Sequence, residues 1–229
     1  MARTDPGEPV VLARRLLEAL GGRFSTEMGI DLDGGDEQIE RWLLASTLFG
    51  ARISASTAVR TYRELAGAGI RTPAEVRERS WNQLVEVLDR GGYARYDFQT
   101  ATRLQKLAEA LEGRGVDSLR DGSLGETRAN LDALPGWGPV TVSLFLRELR
   151  GVWPEVDPPL DKRAADAAQH LGLLAEDADA LEMLRSLAGR ADVDLRDLEA
   201  GLVRLWLSHR RTAANCPGGL ECLGLAGKR

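Results

Sequence analysis

Apolar residues recur along this chain at helical spacing, and glycine or proline punctuates nearly every connection between such stretches. Pro9 opens an amphipathic run through Leu20 that stops at Gly21-Gly22, as expected of a helix with proline in its first turn and glycine beyond its last. Asp36 starts a second run, with Ile39, Trp42, Leu43 and Ser46 at helical spacing, and Ser54 caps a third that carries Val59, Tyr62 and Leu65 to Gly67. Thr72-Pro73 and Ser80 each introduce a short helix, and Gln83 stands at the capping-box spacing from Ser80. Gly91-Gly92 breaks the chain before a long helix, Phe98 to Leu111, with Ala101, Leu104, Leu107 and Leu111 on one face. Leu124 to Leu149 reads as helix, tight turn, helix, and further helices are expected at 161–170, 177–188 and 195–209.

No segment alternates apolar and polar residues over strand length, so the expected class is all-α. There is no heptad run, fixed-period repeat or low-complexity stretch. The loop from Gly151 to Leu160, with Pro154, Pro158 and Pro159, is the clearest internal boundary. Composition agrees with a globular chain of 229 residues: 43% hydrophobic and 28% charged residues exclude disordered and fibrous classes. No run approaches the roughly 20 apolar residues of a membrane span, and Met1 to Val10 has no apolar signal core, so a cytoplasmic protein is expected.

Charge narrows the partner classes. A formal net charge of −5 argues against indiscriminate binding to nucleic acid, which rests on a basic surface, but leaves room for a local basic face. The basic residues are almost all arginine, the lysines being Lys106, Lys162 and Lys228. Two cysteines, Cys216 and Cys222, are too few for a disulfide framework.

The most informative string is Leu134-Pro135-Gly136-Trp137-Gly138-Pro139-Val140-Thr141. Gly136 and Gly138 suit a turn whose backbone visits positive φ and lets another molecule approach without a Cβ in the way. Pro139 sits where the next helix begins, with φ preset and no donor to lose. Amides of the turn and first helical turn, from Gly136, Trp137, Gly138, Val140 and Thr141, then point outward at the positive end of the helix dipole, a setting suited to a phosphate. Such contacts position a duplex without reading its sequence. Turn chemistry alone also fits an ordinary αα-hairpin.

The full string resembles the hairpin of the helix-hairpin-helix DNA glycosylase superfamily, in its endonuclease III-like branch. The resemblance extends to Pro159-Leu160-Asp161-Lys162-Arg163-Ala164 followed by His170-Leu171-Gly172-Leu173, where that family has its catalytic aspartate opening a helix. The spacing to Leu-Gly-Leu selects Asp161 over Asp157. Upstream, Thr72-Pro73-Ala74-Glu75 and Gly91-Gly92-Tyr93-Ala94-Arg95 are similar to two further family landmarks, in the same order. The resemblance covers about residue 36 to the C-terminus, and is strongest from 131 to 173. It implies two helical lobes, a bundle over 36–150 that carries the hairpin and a second lobe joining 1–35 to 151–229, with hairpin and Asp161 meeting in a cleft between them. It also implies base-excision repair: a monomer acting on double-stranded DNA that hydrolyses the N-glycosidic bond of a damaged or mismatched base, with Asp161 stabilising the positive charge that builds on the sugar. An aspartate before a helix is ordinarily just an N-cap, and that reading stands beside the catalytic one.

Three departures refine the expectation. Family members that also cut the strand carry a nucleophilic lysine directly before the hairpin threonine; here Val140 stands there, and Lys162 is the one lysine near the site, so a monofunctional enzyme is expected. Many relatives hold a four-iron cluster through four cysteines; here Cys216 and Cys222 keep the last spacing while the other two positions fall on Trp206 and Ala213. No cluster and no cofactor are therefore expected, the cysteines reading as a remnant, and a zinc site with His209 would lack a fourth ligand. The glutamine that fills the gap left by an extruded base is missing from Ser46-Thr47-Leu48-Phe49-Gly50-Ala51-Arg52, leaving Arg52 or Phe49 as candidates. Arg163 is a further accessory candidate, and Tyr93, Tyr96 and Trp42 are candidates for stacking on an extruded base, with core packing as the alternative fate of each. The competing function is a non-catalytic DNA-binding or damage-recognition protein on the same fold; a third is a helical scaffold for protein partners.

Overall fold

The computed structural model describes residues 8–51, 53–120, 122–174, 179–209, 216–219 and 221–222, and is all-helical over them. The α-helices are α1 (Glu8–Leu20), α2 (Phe24–Glu27), α3 (Asp36–Thr47), α4 (Ala55–Gly67), α5 (Pro73–Arg77), α6 (Trp81–Leu88), α7 (Asp97–Ala110), α8 (Leu124–Asp132), α9 (Pro139–Glu148), α10 (Lys162–His170), α11 (Ala180–Ala191) and α12 (Leu195–His209). Among the described residues there is no strand; an isolated bridge joins Arg150 to Trp153. No described helix is long and apolar enough to cross a membrane.

Helix starts follow local chemistry. Ser54 accepts the Thr57 amide at 3.1 Å, while Thr72 with Glu75 and Ser80 with Gln83 close complete capping boxes. The helix expected at 177–188 instead runs Ala180–Ala191, because Asp179 takes the cap by accepting the Glu182 amide at 3.3 Å, and it stops at Asp192 in the left-handed region (φ 53°). Three short 3-10 turns, Leu32–Gly34, Leu48–Gly50 and Val116–Leu119, are too brief to leave a period in the sequence.

The chain divides into two compact units, Phe24–Pro158 and a second made of Met1–Arg23 with Pro159–Arg229. In the first, Trp42 of α3 is fully buried and donates its indole N–H to the carbonyl of Phe145 in α9 at 3.3 Å. Phe145 lies edge-on between Trp137 and Trp153, with ring centroids 5.2 and 5.8 Å away. These contacts place an aromatic column through the core. At the end of α9 the buried Glu148 carboxylate accepts the amides of Phe24 and Ser25 at 3.0 and 2.9 Å, satisfying the first donors of α2, with Arg147 3.9 Å away.

The second unit packs α1, α10, α11 and α12 around Leu12, Leu16, Ala164, Ala168, Leu184, Leu187 and Leu202. Arg23 holds Asp197 through its backbone amide at 2.8 Å and its Nε at 3.1 Å. Arg14 donates to the Ala191 carbonyl at the end of α11 at 2.9 Å.

Burial raises the Glu148 carboxyl above the ordinary glutamate value. A carboxyl raised on folding contributes stability below its unfolded pKa and loses that contribution as pH climbs through the folded value. Glu148→Gln should cost about 1–3 kcal/mol in acid, because its NH2 cannot accept an amide. Denaturant unfolding should show the gap between wild type and variant narrowing as pH rises out of the acidic range.

Candidate nucleic-acid interface

The hairpin joins α8 to α9. Its Gly136 takes φ 79°, in the left-handed region, whereas Gly138 is extended at φ −156° and is the residue before the first turn of α9. The expectation of positive φ thus holds for Gly136 and is corrected for Gly138, whose missing Cβ faces open space. The Trp137 amide is consumed in the turn, donating to Leu134 at 3.0 Å. The amides of Gly138, Val140 and Thr141 stand ahead of the first intrahelical bond, which runs from Val142 to the Gly138 carbonyl at 3.0 Å.

The side chains separate into anchored and presented sets. Trp137 turns inward, buried, and donates its indole N–H to Thr47 Oγ1 at 3.0 Å; the Thr47 hydroxyl in turn donates to Leu43 at 3.1 Å. Thr141 is buried as well. Gly136, Pro139 and Val140 are exposed, Val140 at 55%. Trp137 and Thr141 therefore contribute no side chain to an interface, and Trp137 contributes no free amide. The turn Leu48–Gly50 lies against the hairpin: a Cβ on Gly50 would meet the Gly136 carbonyl at 3.4 Å and Thr141 Oγ1 at 3.5 Å. Arg103 of α7 crosses over Gly136, its Cδ 2.9 Å from where a Cβ would stand. A shallow groove of about 300 Å³ between α8 and α9 is lined by Gly125, Arg128, Ala129, Asp132, Pro139 and Val142. The surface thus combines first-turn amides with Arg103 and Arg128, one carboxylate, and an apolar valine.

Burial assigns two of the stacking candidates to the core, the alternative fate given for each. Tyr93 is 1% exposed and donates its hydroxyl to the Leu48 carbonyl; desolvation raises its pKa, so it is a core phenol. Trp42 is equally buried. Phe49 packs on the core, 5.0 Å from Phe24, and Tyr96 is half-buried beneath Arg95. Arg52 lies outside the described residues.

In the other unit Asp161 precedes α10 and caps it, its Oδ1 accepting the Arg163 amide at 2.8 Å while its own amide donates to buried Glu199 at 3.0 Å. Lys162 is 86% exposed and pairs with Asp166 at 2.9 Å, a surface ion pair along the helix. The Arg163 guanidinium lies 5.7 Å from the Trp206 ring centroid. Asp157, set aside on spacing, forms an ion pair with Arg150.

The cysteines are not isolated. The structure brings His170, at the end of α10, and His209, at the end of α12, to Cys216 and Cys222, with all four potential ligand atoms within 4.8 Å of one another. The fourth donor thought to be missing from the sequence is His170. Burial, followed by the adjacent Cys216 sulfur, pushes the Cys222 thiol up to about 12.

No protein-family model, curated protein or solved structure matches the chain.

The two hairpin glycines should respond differently to substitution. Gly136→Ala places a Cβ at positive φ against Arg103 and should destabilise by about 1–2 kcal/mol. Gly138→Ala, in extended backbone facing open space, should be neutral or stabilise by up to about 1 kcal/mol. Urea unfolding of both variants measures the contrast.

Proposed function

We propose that the protein is a monofunctional DNA glycosylase that removes a damaged or mismatched base from duplex DNA. The observation that carries this reading is the hairpin: a turn anchored by buried Trp137, with amides of Gly138, Val140 and Thr141 ahead of the α9 ladder and Arg103 alongside. That combination suits a backbone phosphate, held by fixed dipoles and one cation. Duplex DNA is the partner, and the chain acts as a monomer.

Asp161 is the catalytic residue in this reading. The C1′–N bond breaks with its electron pair leaving on the base, positive charge develops on the sugar, and a carboxylate stabilises that charge until water adds to C1′ and loses a proton. Val140, in the position of the family's lysine, cannot form an imine with the sugar, and exposed Lys162 is paired with Asp166. Strand cleavage is therefore not part of the activity.

A second reading, a damage-recognition protein without chemistry, is favoured by one observation: Oδ1 of Asp161 is engaged as the cap of α10. Asp161→Asn separates the two, because asparagine caps a helix about as well as aspartate but carries no charge. The test uses duplexes carrying a panel of damaged and mismatched bases. Base release by wild type, lost at least about 100-fold in Asp161→Asn with duplex binding retained, supports the glycosylase. Salt-sensitive binding without any release points to the recognition protein, and absence of such binding points to a scaffold for protein partners.

A further inference from the structure

The chain has two histidines and two cysteines, 229 residues in all, and the fold gathers all four at one place in the unit built from its two ends. We infer that His170, His209, Cys216 and Cys222 form a closed tetrahedral zinc site. This inference does not depend on the glycosylase reading.

Distances fit a single ion. His209 Nε2 lies 3.1 Å from Cys216 Sγ and 3.2 Å from Cys222 Sγ, and no pair among the four donor atoms exceeds 4.8 Å. Zinc bonds of about 2.0–2.1 Å to nitrogen and about 2.3 Å to sulfur put neighbouring donors of a tetrahedron about 3.6 Å apart. The His209 contacts must open by about 0.5 Å and the widest pair close by about 1 Å to admit the ion. A multi-iron cluster would spread its ligands more widely, and the cysteines that would complete such a set are replaced by Trp206 and Ala213.

Hydrogen bonding around the ring is compatible with a ligating imidazole. The Ser208 hydroxyl reaches the Leu205 carbonyl at 2.8 Å and its oxygen lies 3.4 Å from His209 Nδ1, so a ring N–H at Nδ1 has an acceptor there. In that tautomer Nε2 turns its lone pair toward both sulfurs. One lone pair serves one S–H well, whereas a cation engages the nitrogen and both sulfurs together. Ser208 then acts as the outer partner that fixes the tautomer of a ligating imidazole. His170 supplies a separate sign: its Nε2 is buried without a hydrogen-bond partner among the described residues, and its ring packs 5.4 Å from that of His209.

The backbone between the cysteines is shaped for this contact. Gly218 has φ 78°, and a Cβ there would stand 2.6 Å from the His170 carbonyl oxygen. Only glycine lets that loop lie on the end of α10, and Cys222 is fully buried beside it. Two thiolates and two neutral imidazoles balance a divalent cation, removing net charge from a partly buried site. Four protein ligands leave no open coordination position, so the role is structural: the ion ties the ends of α10 and α12 to the segment carrying both cysteines.

The test measures metal in the purified full-length protein by elemental analysis. About one zinc per chain is expected, without iron or acid-labile sulfide. Removing zinc with a chelator under reducing conditions should lower Tm, and zinc should restore it. Cobalt added to the metal-free protein should give the intense visible bands and thiolate charge-transfer absorption of a tetrahedral site. In Cys216→Ser and His170→Ala, cobalt affinity should fall at least about tenfold. Several outcomes overturn the inference: less than about 0.2 zinc per chain after refolding in excess zinc, iron with sulfide in its place, or a weak octahedral cobalt spectrum. Unchanged cobalt affinity in both variants overturns it too. The cobalt spectrum of the wild-type chain decides the matter even if a variant fails to fold.

Discussion

The hydrogen bond from the Trp137 indole to Thr47 fixes the part of this molecule that matters most to its proposed function. A tryptophan at a turn tip would ordinarily be a large apolar group in water. Here it is drawn into the core, edge-on to Phe145, which in turn lies against Trp153 and accepts the Trp42 indole at its carbonyl. Thr47 closes the arrangement from α3 by donating its own hydroxyl to Leu43. An indole N–H left unpaired in that setting would cost about 1–3 kcal/mol, so Thr47 and Trp137 constrain one another. With that side chain turned inward, the hairpin presents Gly136, Pro139 and Val140 at its surface.

The same economy of polar groups recurs elsewhere. Glu148 satisfies the first amides of α2 from the end of α9. Asp161 caps α10 while its own amide is held by buried Glu199. Each of these carboxylates does a structural job that a sequence shows only by its place relative to a helix boundary. For Asp161, capping and electrostatic stabilisation of a sugar cation make compatible demands, since both orient a carboxylate at the start of a helix.

Most helices were legible in the sequence because their apolar faces and caps are local. Ser54, Thr72 and Ser80 mark starts that need no tertiary information. Before α11 the spacing of apolar residues leaves the start loose by a few residues, and the Asp179 cap sets it. The site was less legible. Tyr93 has the same local pattern whether its ring faces a ligand or the core, and only burial separates the cases. His170 looked like the last residue of α10 because nothing in the chain between 170 and 209 announces that two helix ends converge. The signal was compositional: a chain with so few histidines and cysteines brings them together.

The hairpin tip is also stiff. Its turn carries a Trp137-to-Leu134 hydrogen bond, its largest side chain is embedded, and Gly136 is pinned between Gly50 and Arg103. A flexible loop has to be ordered when something docks on it, at about 1–2 kcal/mol per backbone residue. This one has met that cost on folding, so a ligand that reaches the amides of α9 finds them already aimed and gives up only its own freedom of motion.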